Sequence, residues 1–140
     1  MRRNGLFVSI LMVGLAARAT LAADVAAEKA APPAAQSWLA LVDSEKYKES
    51  WDQAASFFKQ AVTSAQWESA VKTVRGPLGR VKSRQLQSAE YRRSLPGAPD
   101  GDYVVIQYAT SFENKKSAVE TITPMKDKDG VWRVSGYYIK

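Results

Sequence analysis

The chain has 140 residues and contains neither cysteine nor histidine. Without cysteine it has no disulfide, no thiolate metal ligand, no thiol nucleophile and no attachment point for the lipid of a lipoprotein. Without histidine it has no imidazole ligand and no Ser-His or Cys-His catalytic pair. It also lacks a phosphate-binding loop and the nucleophile elbow of the hydrolases. We therefore expect no metal, no cofactor and a non-catalytic role.

Long hydrophobic runs are also absent, apart from one near the beginning of the chain. That run, from Leu6 to Ala17, is well short of the roughly 20 residues that cross a bilayer. Arg2 and Arg3 precede the run and small residues follow it. This pattern predicts a secretory signal peptide over residues 1–22, with cleavage after Ala22 or one residue later; the alternative is a retained membrane anchor. We expect a periplasmic or secreted protein with no membrane span after cleavage.

The positive charge is concentrated in one segment. The formal net charge is +6, and it falls to +3 without residues 1–22, which carry three arginines and no acid. Seven basic residues stand between positions 72 and 93, opposed only by Glu90. They are Lys72, Arg75, Arg80, Lys82, Arg84, Arg92 and Arg93. Because Tyr91 is the one aromatic residue among them, the segment does not indicate a nucleic-acid site.

Two interpretations of this basic segment remain open. Arg80, Lys82 and Arg84 alternate along the chain, so on a strand they would share one face. With Arg75 they would then bind an anionic ligand or an anionic envelope component. Alternatively, the charges protect an edge strand from aggregation, and Arg75 ties the turn that follows it to a carboxylate.

Hydrophobic periodicity predicts three helices after a leader. Residues 23–35 are rich in alanine and contain two adjacent prolines, which indicates a flexible leader. Apolar residues at helical spacing then predict helices over about 36–44 and 48–61. A capping box that starts at Thr63 predicts a third helix, which carries Trp67, Ala70, Val71 and Val74 inward and ends before the Gly76-Pro77 pair.

Beyond Gly79 the period changes from helical to alternating. Four strands are predicted, over about 80–94, 102–112, 117–126 and 131–139. An Asp-Gly pair favours a tight turn before the last strand, and Pro124 predicts a bulge because proline cannot donate to the ladder. The fold class is therefore α+β, with three N-terminal helices on one face of a four-stranded antiparallel meander, in a single domain over 36–140.

The alternation also predicts which side chains share a face of this sheet, provided that both later hairpin loops hold an even number of residues. The core face would carry Val104, Ile106, Tyr108, Phe112, Val119, Thr121, Met125, Trp132, Val134 and Tyr138. The opposite face would carry Val105, Gln107, Glu120, Ile122, Arg133, Tyr137 and Ile139. Four apolar residues on that second face would form an interface for a homodimer. They are Val105, Ile122, Tyr137 and Ile139.

Several phrases of the sequence resemble an exported bacterial family, the domain of unknown function 4019. The phrases are Trp38-Leu39 with Leu41-Val42-Asp43, Ser50-Trp51-Asp52 with Phe58-Lys59, Arg75-Gly76-Pro77-Leu78-Gly79, the segment 95–101, Thr110-Ser111-Phe112 and the segment 132–139. The family is itself uncharacterised, so the resemblance implies no activity. The order of elements is also similar to the cystatin-like and nuclear-transport-factor-2-like folds, in which helices close a curved sheet.

Three functions are compatible with these observations. The first is a non-catalytic interaction domain that self-associates. The second is a binding module with a pocket between helices and sheet, lined by Tyr108, Tyr138 and Trp51, or with a site on the basic segment. The third is an enzyme that pairs a carboxylate with a tyrosine for proton transfer, as the similarity to the nuclear-transport-factor-2-like fold implies. Its eligible groups are Asp43, Asp52, Glu120, Tyr108 and Tyr138.

Overall fold

In a computed structural model, the described backbone runs from residue 13 to residue 140, with side chains from residue 20. Residues 1–12, which hold the first part of the predicted signal peptide, lie outside it. Within residues 13–140, five helices precede four strands. The helices are α1 (Val13–Ala30), α2 (Pro32–Asp43), α3 (Tyr47–Asp52), α4 (Ser56–Ala61) and α5 (Ser64–Arg75). The strands are β1 (Val81–Arg92), β2 (Tyr103–Phe112), β3 (Lys115–Lys126) and β4 (Trp132–Ile139).

The segment expected to be a flexible leader is helical instead. Alanine is the strongest helix former, and Pro32 opens α2, where a missing N–H costs nothing because the first turn has no partner for it. Ala31 and Ala35 are fully buried, and Ala27 of α1 packs against the same core. The two prolines therefore mark the start of a helix rather than a disordered segment.

The second predicted helix is divided into α3 and α4, so residues 32–75 hold four helices where three were predicted. Ala55 has extended geometry, and its amide N–H donates to the carbonyl oxygen of Val134 in β4, at 2.8 Å. This bond to a distant strand interrupts the helix, and local periodicity contains no sign of it. The capping box of α5 is confirmed: Gln66 N–H donates to the Thr63 hydroxyl at 3.2 Å, and the Gln66 side chain accepts from Thr63 N–H at 2.9 Å.

The four predicted strands form one antiparallel sheet in the order β1-β2-β3-β4, which confirms the meander and the α+β class. The turn between β3 and β4 contains Gly130 at φ +81°, as its Asp-Gly pair predicts. The shared core contains Trp38 and Trp67, whose indole N–H groups both donate to the fully buried Ser50, at 2.8 and 2.9 Å. This residue links α2, α3 and α5.

The predicted faces are right for β2 and shifted by one residue for most of β3. Val104, Ile106 and Tyr108 are buried under the helices as expected. On β3, however, Ile122 and Glu120 are fully buried opposite Ile106 and Tyr108. The residues expected inward point to the outer side; among them Val119 is 39% exposed. A bulge causes the shift: Phe112 pairs with Lys115 but Thr110 pairs with Ala118, which gives β3 one extra residue near the turn.

The expected bulge at Pro124 is confirmed and sets the faces of β4. Pro124 pairs with Val134, whereas Thr123 pairs with Gly136, so β4 carries one extra residue. Val134 therefore points inward, as predicted. Tyr137 also points inward, although it was predicted on the opposite face, and Tyr138 points outward and is 53% exposed.

The four residues of the predicted dimer interface do not lie on one face of the sheet. Ile122 is fully buried on the helix side and Tyr137 packs against the same core. Val105 pairs with Glu90 on the opposite side of the sheet, so the predicted interface is divided between two faces. The two bulges cause this separation, because each one changes the parity of the residues that follow it.

Candidate functional site

Four charged side chains meet between the helices and the sheet. We call Asp43, Arg75, Arg84 and Glu120 the ion-pair cluster. Arg84 of β1 binds both carboxylates in a bidentate manner: Nε and Nη2 donate to Glu120 at 2.7 and 3.1 Å, and Nη1 and Nη2 donate to Asp43 at 2.8 and 3.1 Å. Arg75 at the end of α5 donates to Asp43 at 2.9 Å. The cluster therefore joins α2 and α5 to β1 and β3 with two charges of each sign.

Glu120 is fully buried and its carboxylate is saturated with donors. Besides Arg84, the Thr110 hydroxyl donates to Oε1 at 2.5 Å and the Tyr137 hydroxyl donates to Oε2. A buried carboxylate is stable only when charge and hydrogen bonds compensate its lost hydration, and both are present here. Because these donors occupy both oxygens, Glu120 has no free lone pair directed at a substrate.

The pKa values of the cluster follow from this mutual compensation. Burial would raise the pKa of Asp43, but the hydrogen bonds and charges of Arg84 and Arg75 outweigh burial and hold it below its usual value. Burial opposes the charge of Arg84, yet Asp43 and Glu120 raise its pKa. Burial, then the charge and hydrogen bond of Glu120, raise the pKa of the Tyr137 hydroxyl well above its normal range. Asp43, Arg75 and Arg84 therefore keep their charges at neutral pH.

Two predicted anion-binding residues are thus used inside the protein. Arg75 is 6% exposed, its guanidinium lies 5.1 Å from the centre of the Phe112 ring, and its carboxylate partner is Asp43. Arg84 is directed inward to Glu120, while Arg80 and Lys82 are exposed. A bulge between Val81 and Ser83 interrupts the alternation on which the predicted basic stripe depended. The four residues do not form one anion site.

The predicted pocket residues are also separate from one another. Tyr108 is buried in the core and Tyr138 lies on the opposite side of the sheet. Trp51 packs at the edge of the core, where its indole N–H donates to the carbonyl of Val62 at 2.9 Å. Of the predicted acid–base groups, Asp52 pairs with Lys48 at the surface. These residues do not assemble into a pocket or a catalytic pair.

A polar cleft of about 430 Å³ opens over one side of the ion-pair cluster. It is lined by Asp43 and Arg75 at its base and by Glu45, Arg80 and Glu113 around it. Glu45 has a φ of +60°, which is uncommon for a residue other than glycine. The carboxylates and arginines in the cleft are of both signs, so it does not select a ligand by charge.

The sheet face opposite the helices carries other residues than the sequence predicted. We call it the outer face. Its central residues are Gln85, Val105, Gln107, Ala109, Val119, Thr121, Thr123 and Tyr138. None of them is charged, and a groove of about 570 Å³ lies toward the end of the face where Lys116 and Lys140 stand. The sequence does not show the bulge near Phe112. Once the pairing of β2 with β3 is known, the alternation of residues along the strands identifies every residue of the outer face.

Helix α5 also differs from expectation on one side. Trp67 and Val71 are buried as predicted, but Ala70 is exposed and Val74 is 49% exposed. Both belong to a small groove of about 200 Å³ between α5 and β4, which Ile139 also lines. The prediction therefore assigned one row of side chains too many, Ala70 and Val74, to the buried face of the helix.

These observations define a class of protein: an antiparallel four-stranded meander covered by helices on one face, with a compensated ion-pair cluster between the two layers. Residues 34–137 match the family described as protein of unknown function (DUF4019), and the chain belongs to that family. No curated protein matches the chain. Within residues 13–140, no helix combines the length and the hydropathy needed to cross a membrane.

Proposed function

We propose that this protein is a non-catalytic interaction domain that forms a homodimer through the outer face. The observation that carries the proposal is the uncharged and uncovered centre of that face. Solvated antiparallel sheets usually place polar side chains on the side away from the core. Here Val119 is 39% exposed and Tyr138 is 53% exposed on that side, and Val105 and Ala109 are partly exposed beside them.

The area of the outer face is appropriate for a second copy. Four strands spaced about 4.8 Å apart, each with a rise of about 3.3 Å per residue, span a face of roughly 20 by 30 Å, or about 600 Å². Side-chain relief increases this area, and a standard interface buries about 800 Å² per partner. The outer face thus approaches the size that a specific dimer needs, and residues 99–101 cover its end at Tyr103.

The charges around the face favour one orientation of the second copy. Lys116 and Lys140 stand at one end, whereas Glu90 at the other end on β1 is already paired with Arg92 at 2.6 Å. A two-fold axis that lies parallel to the sheet and runs across the strands stacks opposite ends of the two faces on each other, so it keeps the two pairs of lysines apart. It also gives the same contacts to both copies, as a closed dimer requires.

Sedimentation of the purified protein at about 50 µM tests the proposal, because micromolar affinity is measurable in that range. We expect a dimer, and we expect Gln107→Lys and Val119→Lys to weaken it at least tenfold by placing a charge within the buried face. The control is Leu86→Lys, which changes a residue that is 52% exposed on the helix side of β1. A monomeric wild type, or equal effects of all three substitutions, would contradict the proposal.

We also propose that the protein is exported and begins at residue 23 after cleavage. Cleavage there would retain Ala27 in the core and Glu28, whose carboxylate accepts from the backbone N–H of Tyr91 at 3.1 Å. Expression of the full chain in a bacterium, followed by N-terminal sequencing of the periplasmic or secreted fraction, tests this prediction. Uncleaved protein that stays in the cytoplasm or in the membrane would disprove it.

A further inference from the structure

The two edge strands of the sheet, β1 and β4, differ in how far other parts of the protein cover them. At β1, helix α1 packs along the strand, and Glu28 occupies the outward N–H of Tyr91. At β4, the first half of the edge is used by Ala55, which donates to the carbonyl of Val134. Among the described residues, no further strand lies beside the second half of β4, residues 137–140. An uncovered edge is a template for another strand.

The hydrogen bonds of β4 show which backbone groups are directed outward. Lys140 and Val119 exchange both of their backbone bonds, at 2.9 and 3.0 Å. In an antiparallel pair, closely bonded and non-bonded positions alternate, so the backbone of Ile139 and that of Tyr137 point away from β3. Two N–H groups and two carbonyls, separated by the repeat of an extended strand, are therefore directed toward the open side.

A strip of apolar surface lies beside these backbone groups. The groove between α5 and β4 is lined by Trp67, Ala70, Val71, Val74 and Ile139. Val74 is half-exposed although it has an apolar side chain on a well-formed helix. The one charged group in the groove is a buried arginine that already binds a carboxylate.

We propose that this edge binds a short extended segment of another protein, with apolar uncharged side chains at alternate positions. The segment would pair its backbone with Tyr137 and Ile139 and place every second side chain against Val74 and Ala70. This is strand addition, in which main-chain bonds supply affinity and the adjoining groove supplies specificity.

The size of the free edge favours a peptide over a second copy of the chain. Four residues extend roughly 13 Å, and a groove that admits two or three side chains adds little area. The contact is well below the about 800 Å² per partner that a stable homodimer buries. A peptide needs less area, since it brings no folded surface that must also fit.

Selection from a displayed library of random decapeptides tests the proposal on the wild-type protein. We expect enrichment of sequences with alternating apolar residues, and micromolar binding of the corresponding synthetic peptides. Ile139→Pro removes one outward N–H without removing a bond to β3, and we expect at least a tenfold loss of affinity. Val74→Asp places a charge in the groove and has the same expected effect.

The matched control is Val131→Asp, because Val131 is 47% exposed, nearly the same as Val74, and lies in the turn before β4. We expect this variant to bind the selected peptides as the wild type does. Unfolding midpoints verify that each variant is folded, and Val74→Asp preserves the test if Ile139→Pro does not fold.

Three results would overturn the proposal: a library without enriched apolar sequences, peptide binding that is unchanged by Val74→Asp, or a change in self-association instead of peptide binding. The last result would assign the edge to a second copy. Gln107→Lys on the outer face is expected to leave peptide affinity unchanged, so this test is independent of the proposed dimer.

Discussion

Glu120 shows how a single side chain connects several elements of this fold. It is fully buried, binds Arg84, and accepts hydroxyl hydrogen bonds from Thr110 and Tyr137. We expect Glu120→Ala to reduce the free energy of unfolding by about 3–5 kcal/mol, because Arg84 would lose one of its two carboxylate partners and the Thr110 and Tyr137 hydroxyls would lose their acceptor. Chemical denaturation measures this change.

The control for that prediction is Asp52→Ala, which breaks an exposed ion pair with Lys48. Exposed pairs contribute about 0–1 kcal/mol, since solvent screens them and both side chains lose freedom. Equal losses for the two variants would mean that the ion-pair cluster contributes no more than a surface salt bridge.

Two tyrosines near the cluster allow a matched comparison. Tyr137→Phe removes a donor to a buried carboxylate, so we expect a loss of about 1.5–3 kcal/mol in the free energy of unfolding. The Tyr108 hydroxyl is buried without a regular hydrogen bond to any described residue, although Gln36 is close enough to influence its pKa. We expect Tyr108→Phe to change stability by less than about 0.5 kcal/mol or to increase it. Denaturation curves of the two variants decide the comparison.

The lowered pKa of Asp43 makes stability depend on acidic pH. Its pKa in the folded protein is below the ordinary value of 3.8, because Arg84 and Arg75 outweigh the effect of burial. The unfolded state then binds more protons, so this contribution is present above about pH 4 and is lost as the pH falls through the folded pKa. We expect the stability difference between wild type and Asp43→Asn to decrease from pH 5 to pH 3 in denaturation experiments. A constant difference would contradict this explanation.

At the scale of elements, the start of α5 is the best test of local sequence information. Thr63 and Gln66 satisfy each other's backbone N–H groups in a capping box. We expect Thr63→Ala to cost about 1 kcal/mol of unfolding free energy. Thr73 lies inside the same helix and donates to the carbonyl of Ser69, so Thr73→Ala is a matched control that should be neutral or stabilising, because alanine is the stronger helix former. Thermal or chemical unfolding separates the two outcomes.

The strands show what the local sequence can predict, and the break between α3 and α4 shows what it cannot predict. All four strands lie within a few residues of their predicted bounds, because alternation with turn residues between is a strong local signal. The break between α3 and α4 was missed because it depends on a bond between Ala55 and a strand 79 positions away in sequence. Periodicity reports which residues can form a helix, and distant partners decide where it is interrupted.

At the scale of the whole molecule, α1 acts as a cover for one sheet edge. A chain that begins at residue 23 keeps Ala27 and the bond between Glu28 and Tyr91, so we expect it to fold with the stability of the longer chain. A chain that begins at Pro32 loses both contacts and the fully buried Ala31. We expect it to lose about 1–3 kcal/mol and to aggregate more readily, because the β1 edge is then uncovered. Unfolding and light scattering measure the two effects.

The sequence by itself determined the α+β class, the four strands and their meander, and the bulge at Pro124, because each depends on neighbouring residues along the chain. Only the tertiary structure decided which side chains share a face. The bulge near Phe112 shifts β3 by one residue, which moves Glu120 and Ile122 into the core and leaves an outer face whose centre is uncharged. It also decided the role of Arg75 and Arg84, which appear as free cations in the sequence but pair with carboxylates 32 to 41 positions away. The alternation of apolar and polar residues shows that every second side chain lies on the same face of a strand, but it does not show which face is buried. A single extra residue in a strand moves all later side chains to the opposite face.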